Sequence, residues 1–377
     1  MSATQMIYDI IRRSGPISRI DIHRKFHIRK ATITRITESL LEKNLICGSG
    51  KDPSGLGRTP ELITVNESAF HVIGLHAVSN AIRGGIVLSG GKMESYSTMD
   101  LPPGADKKRF LAAIGRFAIE LLGTAKKNNI KISGIGLAMP GEVDYESGTL
   151  KQAAVILPGL IAVPCKTYLT NKTGLPVVVD HDCAMITLAE VFWGKAKARM
   201  NIGTMFIGHG IGGRFFINGR LYRGARNRGG ELGHIPLRHS GPLCKCGLRG
   251  CFEALASIPV IEKNCGGINF NEVIERAING EKKPIAALHQ AAGHIGEAAA
   301  IIFDMFDIDL LVINGDIISA EKIITKSVLA SAISHMHSKQ PLNKEFIAFS
   351  SFGQEVGVLG AAAVCIQNVL SGHGIDI

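Results

Sequence analysis

One imidazole and three thiols fall within eighteen residues of this chain: His234, Cys244, Cys246 and Cys251. No other feature restricts the local fold so tightly. Zn2+ takes a Cys3His set tetrahedrally, and such a site closes without a water ligand, so its role is structural rather than hydrolytic. Gly247 and Gly250, set between the thiols, let the chain wrap closely around an ion. The competing reading is a labile thiol pair. The other cysteines, Cys47, Cys165, Cys183, Cys265 and Cys365, are scattered. That is no disulfide framework and points to a reducing cytosol. No basic-then-apolar leader opens the chain, so secretion is not expected. The uncharged stretch from Val356 to Ile375 carries Gln367, Asn368, Ser371 and several glycines. It reads as a buried C-terminal helix and its tail rather than a membrane span.

The chain has 377 residues, enough for two or three domains. With 46% hydrophobic and 20% charged residues it has material for real cores, which excludes a mainly disordered chain. The net charge of +10 is uneven: residues 1–66 hold 11 Lys/Arg against 6 Asp/Glu, so half of it sits in the first sixth of the chain. A concentrated basic segment attracts phosphate backbones through counterion release. Charge alone leaves a solvated basic face equally open, so the pattern must decide.

That pattern reads as a winged helix-turn-helix. Met6, Ile7, Ile10 and Ile11 form a helical stripe that stops at Ser14-Gly15-Pro16. Ser18 with Asp21 resembles a capping box and starts a second helix carrying Ile20, Ile22 and Phe26. After a turn near His27-Ile28, a third helix sets Ile33, Ile36, Leu40 and Leu41 on one face. Its other face begins with Lys30, Thr32, Thr34, Arg35 and Thr37, short hydroxyls and long cations suited to phosphates and base edges in a major groove. Leu45-Ile46-Cys47 and Leu62-Ile63-Thr64-Val65 are the strands of a hairpin with Lys51 and Arg58 at its tip. Gly57-Arg58-Thr59-Pro60 resembles arms that place an arginine in the minor groove. Arg29 stands where such turns commonly offer a capping Ser or Thr. The alternative is a small helical domain that binds protein or dimerises.

From Phe70 the texture becomes α/β. Strands are predicted at Val72–Ala77, Ala81–Leu88, Met93–Met99, Ile132–Leu137 and Val177–Asp180, with a helix over Phe110–Leu122. A comparable texture restarts at Gly203, with a strand at Thr204–Ile207, a glycine turn over Gly208–Gly213, a strand at Arg214–Ile217, an Asn218-Gly219 hairpin turn and a late strand at Leu310–Asn314. Two such units suggest a duplicated fold with a cleft between lobes.

The run Gly230-Glu231-Leu232-Gly233-His234, then Cys244-Lys245-Cys246-Gly247-Leu248-Arg249-Gly250-Cys251-Phe252-Glu253, resembles the signature of the ROK family, which comprises repressors, open reading frames and sugar kinases. The N-terminal helices with Gly55-Leu56-Gly57-Arg58-Thr59-Pro60 resemble its repressor branch. The resemblance implies an α/β, actin-like (sugar kinase-type, RNase H-like) two-lobed core behind the winged helix-turn-helix. The domains would be 1–66, 67–181 with 366–377, and 182–365. It implies a structural Zn2+ on His234, Cys244, Cys246 and Cys251, and a sugar in the cleft. Gly141 ends the loop that would line one side of that sugar. Asp182 matches the family's catalytic aspartate, here vestigial. Glu231, His234 and Glu253 match residues that hydrogen-bond sugar hydroxyls, and His181 replaces the usual Asn before the aspartate.

The pattern breaks at the nucleotide loops. Where the kinases carry Asp-x-Gly-Gly-Thr, this chain has Leu75-His76-Ala77-Val78-Ser79-Asn80, without the acid or either glycine. The second loop, Gly208-His209-Gly210-Ile211-Gly212-Gly213-Arg214, has lost its hydroxyl and ends in arginine. Asp182 cannot phosphorylate a sugar without a bound donor. The expectation is therefore a cytoplasmic, bacterial, non-enzymatic regulator. It would be a homodimer or homotetramer on double-stranded operator DNA, released by a sugar or sugar phosphate. A transporter component is a further candidate partner, and a sugar kinase with a DNA-binding head is the alternative. Arg214, Arg223, Arg226 and Arg228 read as a solvated basic loop ahead of a phosphate contact.

Overall fold

The computed structural model describes residues 2–51, 60–153, 157–337 and 345–373. The chain divides into two compact units, Met1–Met185 with Gly357–Ile377, and Ile186–Val356.

The first unit opens with α1 (Ala3–Ser14), β1 (Ile17–Ser18), α2 (Arg19–Phe26), α3 (Lys30–Glu42), β2 (Ile46–Lys51) and β3 (Glu61–Val65). The three strands form one antiparallel sheet in the order β1-β3-β2. Ser18 starts α2 as predicted: its hydroxyl accepts the Asp21 N–H at 3.1 Å and donates to the Asp21 carboxylate at 2.6 Å. Arg29 makes no side-chain cap for α3. Ile7, Ile11, Ile22, Ile33, Ile36, Leu40 and Ile63 are buried. Ile20, Phe26 and Leu41 depart from the predicted stripes and are exposed. A helix of two turns can turn one narrow face inward, and in α2 Ile22 takes it. In α3 the buried stripe runs through Ile33, Ile36, Thr37 and Leu40, which leaves Leu41 outside it.

The sheet of this unit is built from β4 (His71–Val78), β5 (Ala81–Leu88), β6 (Met93–Asp100), β7 (Ile132–Met139) and β11 (Val177–His181). Between them come α4 (Lys107–Lys127), a small sheet of β8 (Gly141–Asp144), β9 (Thr149–Ala153) and β10 (Ile161–Val163), and α5 (Cys165–Thr173). The strand order is β11-β7-β4-β5-β6: an antiparallel meander with two strands added in parallel beyond its first strand. Phe110, Ile114, Phe117, Ala118 and Leu121 of α4, at helical spacing, pack into the core beneath it.

After α6 (Asp182–Phe192), the second unit comprises β12 (Ile202–Ile207), β13 (Ile211–Ile217), β14 (Arg220–Tyr222), α7 (Glu253–Ala256), α8 (Ile258–Asn264), α9 (Phe270–Ile278), α10 (Lys282–Phe306), β15 (Leu310–Asn314), α11 (Glu321–His335) and β16 (Ile347–Phe349). Its sheet, β14-β13-β12-β15-β16, repeats the first: an antiparallel meander, then two parallel strands beyond β12. The duplicated texture is thus a duplicated topology. The glycine turn is shorter than predicted, because β13 begins at Ile211 and takes Gly212 and Gly213 into the ladder. Asn218 and Gly219, at φ 51° and 76°, form the two-residue hairpin turn.

The last helix, α12 (Val356–Ser371), belongs with the first unit apart from its opening residue. Gly74 and Gly136 are paired neighbours on β4 and β7. A Cβ on either would fall onto the carbonyl oxygens of Val358 and Ala361, so the backbone of α12 lies directly on the sheet. The unit boundaries therefore fall at 185/186 and 356/357, whereas the sequence suggested 181/182 and 365/366, the latter inside this continuous helix. Among the described residues, no helix is long and apolar enough to cross a membrane.

Candidate functional site

The strongest site is in the second unit. The donor atoms of His234, Cys244, Cys246 and Cys251 all lie within 4.8 Å of one another. The sulfurs of Cys246 and Cys251 are 3.6 Å apart, and Cys244 Sγ is 3.8 Å from His234 Nδ1. Zinc–ligand bonds of about 2.0–2.3 Å set tetrahedral donors about 3.5–3.8 Å apart, so this set fits the ion. A tight hairpin holds it: Cys244 N–H donates to the Leu248 carbonyl at 2.7 Å, and Gly247 N–H to the Cys244 carbonyl at 2.9 Å. Gly250, at φ 69°, sits where a Cβ would collide with the Arg238 carbonyl oxygen, so only glycine closes the loop. Arg238 ties the loop to α10 through Glu297 at 2.6 Å. Burial pushes the Cys251 thiol up to about 12 and Cys244 upward, while the Leu248 backbone pulls Cys246 down. A bound cation would hold all three as thiolates.

Glu253 opens α7 beside this loop. Its Oε2 accepts the Ile211 N–H at 2.9 Å, and the Cys244 thiol lies 4.0 Å from its Oε1. Glu231 is exposed, 3.8 Å from the Arg214 guanidinium. Arg214 is not in a solvated loop, as the sequence suggested: it lies within β13, is 3% exposed, and donates to the Gly213 carbonyl at 3.1 Å.

In the first unit, Asp182 begins α6 directly after β11. Its Oδ1 lies 3.1 Å from His181 Nδ1 and accepts the Cys183 N–H at 2.7 Å. His76 Nε2, from β4, is 3.9 Å from Oδ2. Burial alone would raise the Asp182 carboxyl, but His181, His76 and the Cys183 N–H outweigh it and draw it down to about 2. Gly141 opens β8 at φ 121°. His76 is buried, 4% exposed, and entered the sequence argument only as a missing acid. Its place beside Asp182 has no local signal, because β4 and β11 are brought together by the sheet. Gly141, His181 and Asp182 belong to the first unit, and Glu231, His234 and Glu253 to the second.

On α3, Lys30, Thr34 and Arg35 are exposed and Thr32 is half-buried. Arg58 lies outside the described residues. Thr37 is fully buried and faces no groove: it accepts from Arg19 Nε at 2.8 Å and donates to the Thr34 carbonyl at 3.1 Å. Arg19 also lies 3.6 Å from Glu61 on β3. It thereby joins α2, α3 and the hairpin, a role hidden in the sequence among the other cations.

The chain is 24% identical over 369 residues to the xylose repressor of Bacillus spizizenii, covering 96% of this chain and 94% of that protein. It is 24% identical over 374 residues to the DNA-binding transcriptional repressor Mlc of Escherichia coli K12, covering 93% and 90%. Among solved structures, a ROK family transcriptional regulator homologous to the E. coli Mlc protein superposes with a TM-score of 0.80 at 24% identity, over 96% of this chain and 94% of that one. A ROK hexokinase from Thermus thermophilus superposes with a TM-score of 0.68 at 27% identity, over 80% of this chain and all of that one. The ROK family model matches residues 73–368, most of the chain, and this protein belongs to the ROK family.

Proposed function

We propose that this protein is a sugar-responsive transcriptional regulator, a repressor of a carbohydrate uptake or catabolism operon. One observation carries the reading. A helix-turn-helix whose third helix exposes Lys30, Thr34 and Arg35 is joined to a ROK core, and the named repressors match the chain across both parts. Lys30, Thr32, Thr34 and Arg35 would meet the major groove of double-stranded operator DNA, with Arg58 reaching the minor groove from the hairpin. A homodimer or homotetramer in the bacterial cytoplasm would present such heads to paired half-sites. Gly141, His181 and Asp182, and separately Glu231, His234 and Glu253, supply the acceptors and donors that a sugar or sugar-phosphate effector requires. Zn2+ on His234, Cys244, Cys246 and Cys251 would be structural. It would hold the hairpin and fix the His234 ring through Nδ1, so that Nε2 can meet a hydroxyl. The effector would act through a difference in its affinity for two states of the protein, a coupling of about 1–3 kcal/mol in typical cases.

The kinase reading has the hexokinase superposition in its favour. Against it, the stretch that would cradle a donor phosphate is ordinary strand here: β4 runs through His76 to Val78 before the Ser79-Asn80 turn. The test is operator selection from genomic fragments, followed by affinity measurements over a range of salt. Lys30→Ala and Arg35→Ala should each weaken binding, and each lost phosphate contact should lower the salt slope by about 1. A sugar and sugar-phosphate panel should yield one compound that releases the DNA. No preference for any fragment over random duplex would end the repressor reading, and ADP release that depends on Asp182 would restore the kinase.

A further inference from the structure

We propose that Asn66 and Ser89 determine which operator geometry the protein accepts. With Asn44 and Gly90 they lock the helix-turn-helix onto the sheet of the first unit at one angle, and so fix the half-site spacing. The spacing role rests on the operator reading above; the lock itself does not. The head ends with β3 at Val65, and the chain continues into β4 at His71 through Asn66–Phe70. A short connection left unpaired would let the head swing. Here it is bonded on both sides.

On the head side, Asn44 follows α3 in the left-handed conformation, at φ 58°, which asparagine adopts more readily than most side chains. Asn66 Nδ2 donates to the Asn44 carbonyl at 3.0 Å and to its Oδ1 at 2.9 Å, and Asn66 N–H donates to the Leu45 carbonyl at 3.0 Å. The connection is thereby tied to the end of the helix that would read DNA. On the core side, the turn between β5 and β6 grips the same segment. Ser89 Oγ donates to the Asn66 carbonyl at 3.1 Å and accepts the Ala69 N–H at 3.0 Å. Ser89 N–H donates to the Phe70 carbonyl at 2.9 Å, and Gly90 N–H to the Glu67 carbonyl at 2.8 Å. A Cβ on Gly90 would fall 2.3 Å from the Glu67 Cβ, so turn and connection are in direct contact. Asn66 joins the two sides, with its side chain bonded to the head and its carbonyl to the core. The angle of α3 to β4 and β5 is then set, and in a symmetric oligomer so is the distance between heads. Each base pair added between half-sites moves the second by about 3.4 Å and turns it by about 35°. A swinging head would absorb that change; a locked one would not.

The full-length protein is compared with Asn66→Asp, which sets a carboxylate against the two Asn44 oxygens, with Ser89→Ala, and with Gly90→Ala, which drives a methyl group into Glu67. Hydrogen exchange read by mass spectrometry tests the lock without DNA. The amides of residues 66–70 and 89–91 should be protected in the wild type and exchange about tenfold faster in each variant, while α4 keeps its protection. The spacing role is tested on operators whose half-sites are moved apart one base pair at a time over half a helical turn. The wild type should lose about tenfold or more in affinity for a single added pair, the cost of twisting DNA back into register. The variants should bind the whole series nearly equally, and should match the wild type on an isolated half-site because α3 is untouched. A wild type that accepts every spacing, or variants that keep its preference, would overturn the spacing role. Unprotected amides in the wild type, or unchanged exchange in all three variants, would overturn the lock whatever the DNA result. A protein that binds no DNA, with the connection protected in the wild type and released in the variants, would refute the operator reading and uphold the lock.

Discussion

Gly250 shows how much of this protein turns on single backbone positions. Any L residue there must adopt φ near 69° and place a Cβ on the Arg238 carbonyl. The left-handed conformation alone costs about 1–2 kcal/mol, before the steric conflict is counted. Gly250→Ala is therefore expected to lower the stability of the metal-loaded protein by about 2 kcal/mol or more and to weaken retention of the hairpin metal in chelator competition. A variant with the same melt and the same metal retention would show that the hairpin does not need this turn. At this scale the sequence was informative wherever the demand was local. The thiol spacing, Ser18 as a cap and the uncapped Arg29 could all be read from chain neighbours. Thr37 was not legible, because on a helix of amphipathic pattern a threonine suits the groove-facing side as well as the core. Its hydroxyl donates to the Thr34 carbonyl of the same helix and accepts from Arg19, which comes from another helix, and the second bond is one that no local pattern records.

Among the elements, α6 carries an acid at its core. Glu190 is fully buried, accepts from the Ser350 hydroxyl at 2.5 Å and from the Lys195 N–H at 3.0 Å, and packs within the second unit. Burial pushes its carboxyl above the usual range, and the Ser350 and Lys195 donors only partly draw it back. The native state therefore holds this proton more tightly than the unfolded chain does. The stability that follows is complete below about pH 4.3, the unfolded value, and is lost as pH rises through the higher native one. Glu190→Gln should thus flatten the pH profile of the melt, improving on the wild type more at pH 8 than at pH 4. Parallel profiles for the two proteins would refute it. Elements of strong periodicity, such as α4 and both meanders, matched the sequence closely. The short helix α2 did not, because eight residues give too few turns to separate a buried from an exposed face.

For the whole molecule, the decisive experiment is removal of metal. Ligands that are apart in the unfolded chain bind poorly, so the affinity of a Cys3His site appears as folding stability. A strong chelator is expected to lower the melting temperature by an amount corresponding to several kcal/mol, and added Zn2+ to restore it. A melt indifferent to chelator would mean that hydrogen bonds alone hold the hairpin. The sequence by itself determined the helix-turn-helix, the two α/β textures, the Cys3His loop and the family, because each rests on periodicity or spacing over a few turns of chain. Tertiary structure alone decided that α12 lies on the paired Gly74 and Gly136, that Arg214 is buried in a strand, and that His76 faces Asp182. Those facts depend on which strands become neighbours in a sheet, and that is set by packing between distant segments that no local pattern records.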